Sequence, residues 1–145
     1  MLTLYVDAAR EPQSGISAGG AVLIHQKQQQ QIKSNLFYTT DNHEAEFLAL
    51  IWALKQVKVA ETSETIRIFS DSKILIDSLD KNYTKHYQPL LEEIIQLLTP
   101  YSLVISQWLP EKENHGAHYM ALQALKKNKR PSYMMKDVYF FTTMF

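Results

Sequence analysis

Three carboxylates stand out by type and spacing. Asp7 closes the apolar run Leu2-Thr3-Leu4-Tyr5-Val6, and Asp71 closes Ile66-Arg67-Ile68-Phe69-Ser70. Both runs alternate and are β-branched or aromatic, which reads as strand, and the carboxyl ends of strands in α/β sheets are where ligands collect. Glu46 lies in the first turn of a helical stretch between them. If the two strands lie side by side in parallel, all three carboxylates meet at one sheet edge. Without a basic partner they repel one another, and a hard divalent cation resolves that repulsion. Each residue alone also has a plain structural use, since an Asp after a strand is a common turn former or helix N-cap.

The elements that must position them are legible in outline. Leu2 to Asp7 is a first strand; a turn-rich loop follows from Arg10 to Gly20, then a second strand at Ala21 to Ile24 and a third from Ile32 to Tyr38. Short loops make these antiparallel neighbours, and Gln26 to Gln31 reads as a solvated turn. Asn42 to Val59 has helical spacing, with Ala45, Leu48, Ala49, Trp52 and Val59 on one face and Asp41 or Asn42 as N-cap. A strand at Ile66 to Asp71 after such a helix implies a parallel crossover. Lys73 to Leu79 continues as helix, Pro89 opens another that Pro100 ends, Leu103 to Trp108 is the fifth strand, and a last helix carries Ala117, Ala121, Leu122, Ala124 and Leu125. The order predicts an α/β protein with a mixed five-stranded sheet, three strands antiparallel and two parallel, flanked by helices. Trp52 and Trp108 fall on apolar faces and read as core.

The chain has 145 residues, with 15 Lys plus Arg against 15 Asp plus Glu and no cysteine. Its length suits one domain. The lack of cysteine excludes disulfide scaffolds, thiolate metal sites and thiol nucleophiles. Its longest apolar run, Phe47 to Leu54, is far below the ~20 residues of a membrane span, and the reading is a cytoplasmic protein without membrane association. A net charge of zero means that any nucleic-acid partner is held by a local patch. Lys126, Lys127, Lys129 and Arg130 form the one dense basic cluster, either a solvated helix end suited to the helix dipole or a phosphate contact.

Asp7 followed by a small-residue loop with Gly19-Gly20, Thr40-Asp41-Asn42-His43-Glu44-Ala45-Glu46, and Phe69-Ser70-Asp71-Ser72 together resemble type 1 ribonuclease H. Its counterparts are Asp-Gly with a glycine-rich loop, Thr-Asn-Asn-x-Ala-Glu at the start of the first helix, and a strand ending Ser- or Thr-Asp-Ser. The resemblance spans about residues 1 to 127. It implies hydrolysis of the RNA strand of RNA–DNA hybrids by two Mg²⁺ or Mn²⁺ ions, with Asp7, Glu46 and Asp71 as metal ligands. It also implies hybrid contacts from Asn42, Asn114 and the Ala8 position.

The chain departs from that pattern in places. The family's final Asn-x-x-Ala-Asp reads Asn114-His115-Gly116-Ala117-His118, so His118 is expected at the catalytic site as a weakened fourth metal ligand where the family has a carboxylate, the alternative being a helix histidine with no ligand role. Imidazole suits Mn²⁺ or Zn²⁺ better than Mg²⁺. The preceding loop is cut to Glu111-Lys112-Glu113, which lacks the family's loop histidine and leaves His115 as the nearest residue of that type, and the basic protrusion is reduced to Lys81, Lys85 and His86. The departures keep a second reading open: a catalytically weak or inactive nucleic-acid-binding or assembly module on the same fold. Proofreading-type exonucleases rank third, because Asp7-Ala8-Ala9 lacks their Asp-x-Glu. The domain is expected over residues 1–130, and the aromatic tail 131–145 is expected to add a strand or to form a homodimer contact.

Overall fold

The computed structural model describes residues 1–58 and 64–127. Strand β1 (Leu2–Arg10), β2 (Ile16–His25) and β3 (Gln28–Lys33) form an antiparallel meander, and β4 (Phe37–Tyr38) pairs with the start of β2. Helix α1 (Asn42–Lys55) crosses over to β5 (Thr65–Ser70), which lies parallel to β1. Helices α2 (Lys73–Lys81) and α3 (Gln88–Leu98) lead to β6 (Leu103–Trp108), parallel to β5, and α4 (His115–Lys127) follows. The sheet order is β3-β2-β1-β5-β6. The five-stranded mixed sheet is therefore as expected, with the two-residue β4 added.

Several boundaries differ from the sequence reading for identifiable reasons. The four glutamines Gln28 to Gln31 are the exposed edge strand β3, paired with His25 back to Val22, and not a turn. The turn is the two residues Gln26 and Lys27, both with positive φ (51° and 67°), the backbone that a two-residue hairpin needs. Gly19 and Gly20 lie inside β2 rather than in the preceding loop. Helix α1 stops at Lys55, short of Val59, because Gln56 N–H and Val57 N–H bond three residues back, to Ala53 and Leu54, tightening the last turn. Val59 itself, the C-terminal lysine and arginine pair Lys129 and Arg130, and the tail 131–145 lie outside the described residues.

The core centres on α1. Phe47, Ala49, Leu50, Ile51, Ala53 and Leu54 are buried around nearly its whole circumference, because β1 and β2 cover one side and α3 the other. They meet Leu2, Leu4 and Val6 of β1, Ile66 and Ile68 of β5, and Leu91 and Ile94 of α3. On the opposite face α4 packs against β1 and β2 through Ala117, Ala121 and Ala124. Trp52 packs against this core, but Trp108 does not enter it: β6 is a sheet edge, and the indole is 39% exposed. No helix among the described residues is long and apolar enough to cross a membrane.

Candidate metal and active site

Asp7 does not end its strand, since β1 runs on to Arg10 opposite Ser17. What ends there is the pairing with β5, whose last register partners are Tyr5 and Phe69. Beyond that point β1 follows β2 while β5 stays with β6 up to the Ser70–Trp108 pair. The strands part, and Asp7 and Asp71 face the crevice that opens, as at other carboxyl-end crevices of α/β sheets. Asp71 is held by its main chain: Trp108 Nε1–H donates to the Asp71 carbonyl at 2.9 Å, and Ser72 caps α2 by accepting from Leu75 N–H at 3.2 Å.

Helix α1 brings the third carboxylate. Asp41 is the N-cap, with Oδ1 accepting from Glu44 N–H at 2.8 Å; Glu44 Oε1 accepts in turn from Thr40 N–H at 3.0 Å, and Tyr87 Oη donates to Asp41. Burial pulls the Asp41 carboxyl up, but the bonds from Glu44 N–H and Tyr87 outweigh it and hold the acid below its ordinary range. The cap fixes where α1 begins, and so puts Glu46, in the second turn, over the crevice. Asn42 is exposed at the rim.

One ligand oxygen each from Asp7, Glu46 and Asp71 lies within 4.8 Å of the others. Asp7 is 2% exposed, and burial followed by the nearby Asp71 charge pushes its carboxyl up to about 6. Glu46 is raised well above the ordinary carboxylate range by burial and by both aspartates, and its Oε2 is buried with no hydrogen-bond partner. Burial and the Glu111 charge raise Asp71. An unpaired buried carboxylate oxygen between two others is a costly arrangement in isolation, and an all-oxygen donor set of this kind fits Mg²⁺ or Mn²⁺.

His118, one turn into α4, joins this group. Its Nδ1 stands 2.7 Å from Asp7 Oδ2 and its Nε2 3.3 Å from Glu111 Oε1. The cavity around them, about 370 Å³, is also lined by Ala8, Asn42, Arg10, Leu122 and Leu125. Arg10 is directed away from the acids, donating from Nε to Thr39 Oγ1 at 2.9 Å and from Nη2 to Thr39 O at 3.1 Å. Asn114 stands apart: it is 1% exposed, outside the cavity lining, and its Nδ2 donates to the Val6 carbonyl at 2.9 Å. It ties the start of α4 to the residue before Asp7, and its carbonyl accepts from His118 N–H at 3.1 Å.

Two participants were not singled out from sequence. Glu111 begins a single 3-10 turn, Glu111–Glu113, that follows Pro110 and turns its carboxylate toward His118. The sequence signal was the short spacing from Glu111 to His118, seven residues across a turn and a helix start. Trp108, read as core, anchors the main chain of Asp71 instead, with Lys73 Nζ 4.8 Å from its ring centroid.

Comparisons with known proteins agree with this architecture. The family model for reverse transcriptase-like proteins matches residues 5–124. EbsB of Enterococcus faecalis, named provisionally as a hydrolase, is 43% identical over 130 residues, covering 88% of this chain and 96% of EbsB. Among solved structures, LC11-RNase H1 in complex with an RNA/DNA hybrid superposes with a TM-score of 0.78 at 16% identity, over 90% of this chain and all of that one. RNase H1 from the archaeon Halobacterium salinarum superposes with a TM-score of 0.72 at 23% identity, over 87% and 98%. Both structural likenesses are of the fold, and with the family match over the acidic crevice they establish that the chain belongs to the reverse transcriptase-like family and has a type 1 ribonuclease H-like fold.

Proposed function

We propose that the chain is a metal-dependent endonuclease that hydrolyses the RNA strand of RNA–DNA hybrids. The observation that carries this reading is the convergence of Asp7, Glu46 and Asp71 in one cavity, with all three acids raised and Glu46 Oε2 buried and unpartnered. The fold shared with a solved RNase H1 bound to an RNA/DNA hybrid and the relationship to EbsB support a hydrolase of this kind.

In this reading Asp7, Glu46 and Asp71 hold divalent cations, Mg²⁺ or Mn²⁺. Divalent ions held there would supply Lewis-acid activation of a water and stabilisation of the departing 3′ oxygen. The protein's own residues do the rest. Asp41 and Tyr87 fix the α1 start, so that the exposed Asn42 amide faces an incoming duplex at the cavity rim. Ala8 leaves the crevice floor open to a sugar–phosphate backbone beside Asp7. Asn114 holds α4 against β1 and so sets the distance of His118 from Asp7. Selectivity for RNA comes from the 2′-hydroxyl, which a DNA strand does not offer.

One observation favours the second reading, a weak or inactive binding module: Asp7 Oδ2 is engaged by an imidazole where the family pattern has a carboxylate. A single assay separates them. A labelled RNA–DNA hybrid, with RNA–RNA and DNA–DNA duplexes as controls, is incubated in Mg²⁺ and in Mn²⁺. The expected result is cleavage confined to the RNA strand of the hybrid and faster in Mn²⁺. No cleavage in either metal by folded protein that still binds the hybrid transfers the assignment to the binding module.

A further inference from the structure

The helices do not cover the two faces of the sheet alike. Leu4 of β1 and Ile66 and Ile68 of β5 point into the core beside α1 and α3, so the alternate residues Tyr5, Arg67 and Phe69, with Ile105 of β6, point to the opposite side. Helix α4 lies on that side against β1, β2 and β3, and among the described residues β5 and β6 have no helix packed over them there. Leu103, two residues before Ile105 and on the same side, is 54% exposed.

This open half is apolar around one cation. Tyr5 and Phe69 stack with ring centroids 4.7 Å apart, and the Arg67 guanidinium carbon lies 5.9 Å from the Phe69 centroid. Arg67 Nε is buried with no hydrogen-bond partner. A buried donor left unpaired is costly, and the planar guanidinium fork matches a carboxylate. The face therefore suits an occupant that is apolar and carries an acid.

The chain contains such a segment shortly after α4. Of residues 131–145, nine are aromatic, Met or Val, and Asp137 is the single acidic side chain. Leu125, near the end of α4, lines the same cavity as Arg10 at the far end of β1. The way back from Arg10 to Thr3, the register partner of Arg67, is seven strand residues, or about 23 Å. Ten residues lead from Lys127 to Asp137, a reach of up to about 33 Å. We propose that residues 131–145 fold back from α4 onto the open β5–β6 half of this face, with Asp137 paired to Arg67 and the aromatic side chains against Tyr5, Phe69 and Ile105. The docked segment also withdraws an apolar patch that otherwise invites association with other chains.

The test exploits the absence of cysteine: Thr142→Cys gives the full-length chain a single site for a nitroxide label. Its reach is read as paramagnetic broadening of backbone amide signals in the ¹⁵N chain, with the reduced label as reference. Broadening is expected at Arg67, Phe69 and Ile105, and it is expected to vanish when the nitroxide is on a ¹⁴N chain mixed with unmodified ¹⁵N chain. Arg67→Glu in the labelled chain is expected to abolish it, and Arg67→Glu combined with Asp137→Arg to restore it. Broadening that persists in the mixture gives the face to a second copy and overturns docking within the chain. Broadening confined to β3 or to the acidic cavity, or none at all, overturns it as well, and this measurement decides even where Arg67→Glu fails to fold. A folded double variant without restored broadening overturns the pairing of Asp137 with Arg67.

Discussion

Gly20→Ala is the substitution with the most sharply defined consequence. Gly20 lies in β2 directly opposite Asp7, and α4 crosses it backbone to backbone. A Cβ at this position would stand 2.2 Å from Ala121 N, 2.3 Å from Ala117 O and 2.8 Å from the Met120 carbonyl carbon. Ordinary contact begins near 3.4 Å, so α4 must retreat by about 1 Å. Overpacking against side chains that can yield costs about 1–3 kcal/mol. Here the obstacle is helix backbone, and the retreat also loosens the buried Ala117, Ala121 and Ala124, so the expected loss is at least about 3 kcal/mol. With an m-value of about 2 kcal/mol per molar urea, the midpoint falls by about 1.5 M. The same displacement breaks the 2.7 Å contact between His118 and Asp7. Gly116→Ala is the milder comparison: its Cβ would stand 2.8 Å from Val22 Cγ2 and meet no backbone, so one buried valine has to shift rather than a helix. Urea unfolding of both variants followed by circular dichroism decides the matter. A midpoint shift below about 0.3 M for Gly20→Ala, with m unchanged, would refute the close backbone approach of α4 to β2.

The metal-free protein is expected to lose stability as pH rises. A folded-state acid raised from 3.8 to about 6 favours the protonated form, so the contribution of Asp7 is complete below about pH 4 and is lost by passage through about 6, a difference of about 3 kcal/mol at 1.36 kcal/mol per pKa unit. Urea midpoints in chelator at pH 4.5 and 7.5 measure this loss, and Asp7→Asn should flatten the profile; a midpoint that rises over that interval contradicts the electrostatics described. Asp71→Asn is expected to abolish hybrid cleavage while leaving metal-free stability equal or higher, because a repelling charge is removed; retained cleavage would remove the acidic crevice as the reaction centre. Trp108→Phe is expected to cost no more than about 1.5 kcal/mol, the scale of its one hydrogen bond to Asp71, whereas a loss above 3 kcal/mol would mean that the indole is core after all.

The acidic site was legible because its ingredients are local. Strand periodicity places Asp7 and Asp71 at the ends of apolar runs, helical spacing and the Asp41 cap place Glu46 early in α1, and a helix between strands permits the parallel pairing of β1 with β5 that brings all three together. Element type was legible for the same reason. What failed were features set by partners distant in the chain. The glutamine run has the composition of a turn, but its ladder with Val22 to His25 makes it a strand. Trp108 sits in a strand-like run, and nothing in that run reveals that β6 is the outermost strand, with one side of the indole left to solvent. Asn114 matched a motif, and only the folded chain shows that its amide nitrogen reaches the Val6 carbonyl more than a hundred residues away.

The sequence by itself determined a mixed α/β sheet with one carboxylate after each of two apolar strand runs and a third early in the helix between them, since strand and helix periods are properties of short stretches of chain. The tertiary structure alone decided where the strands part at Tyr5, how closely α4 approaches Gly20, and that Glu111 reaches His118 from outside the helix. Those depend on strand order and on the seating of one helix against a glycine, which are set by packing between segments a hundred residues apart and have no local signature.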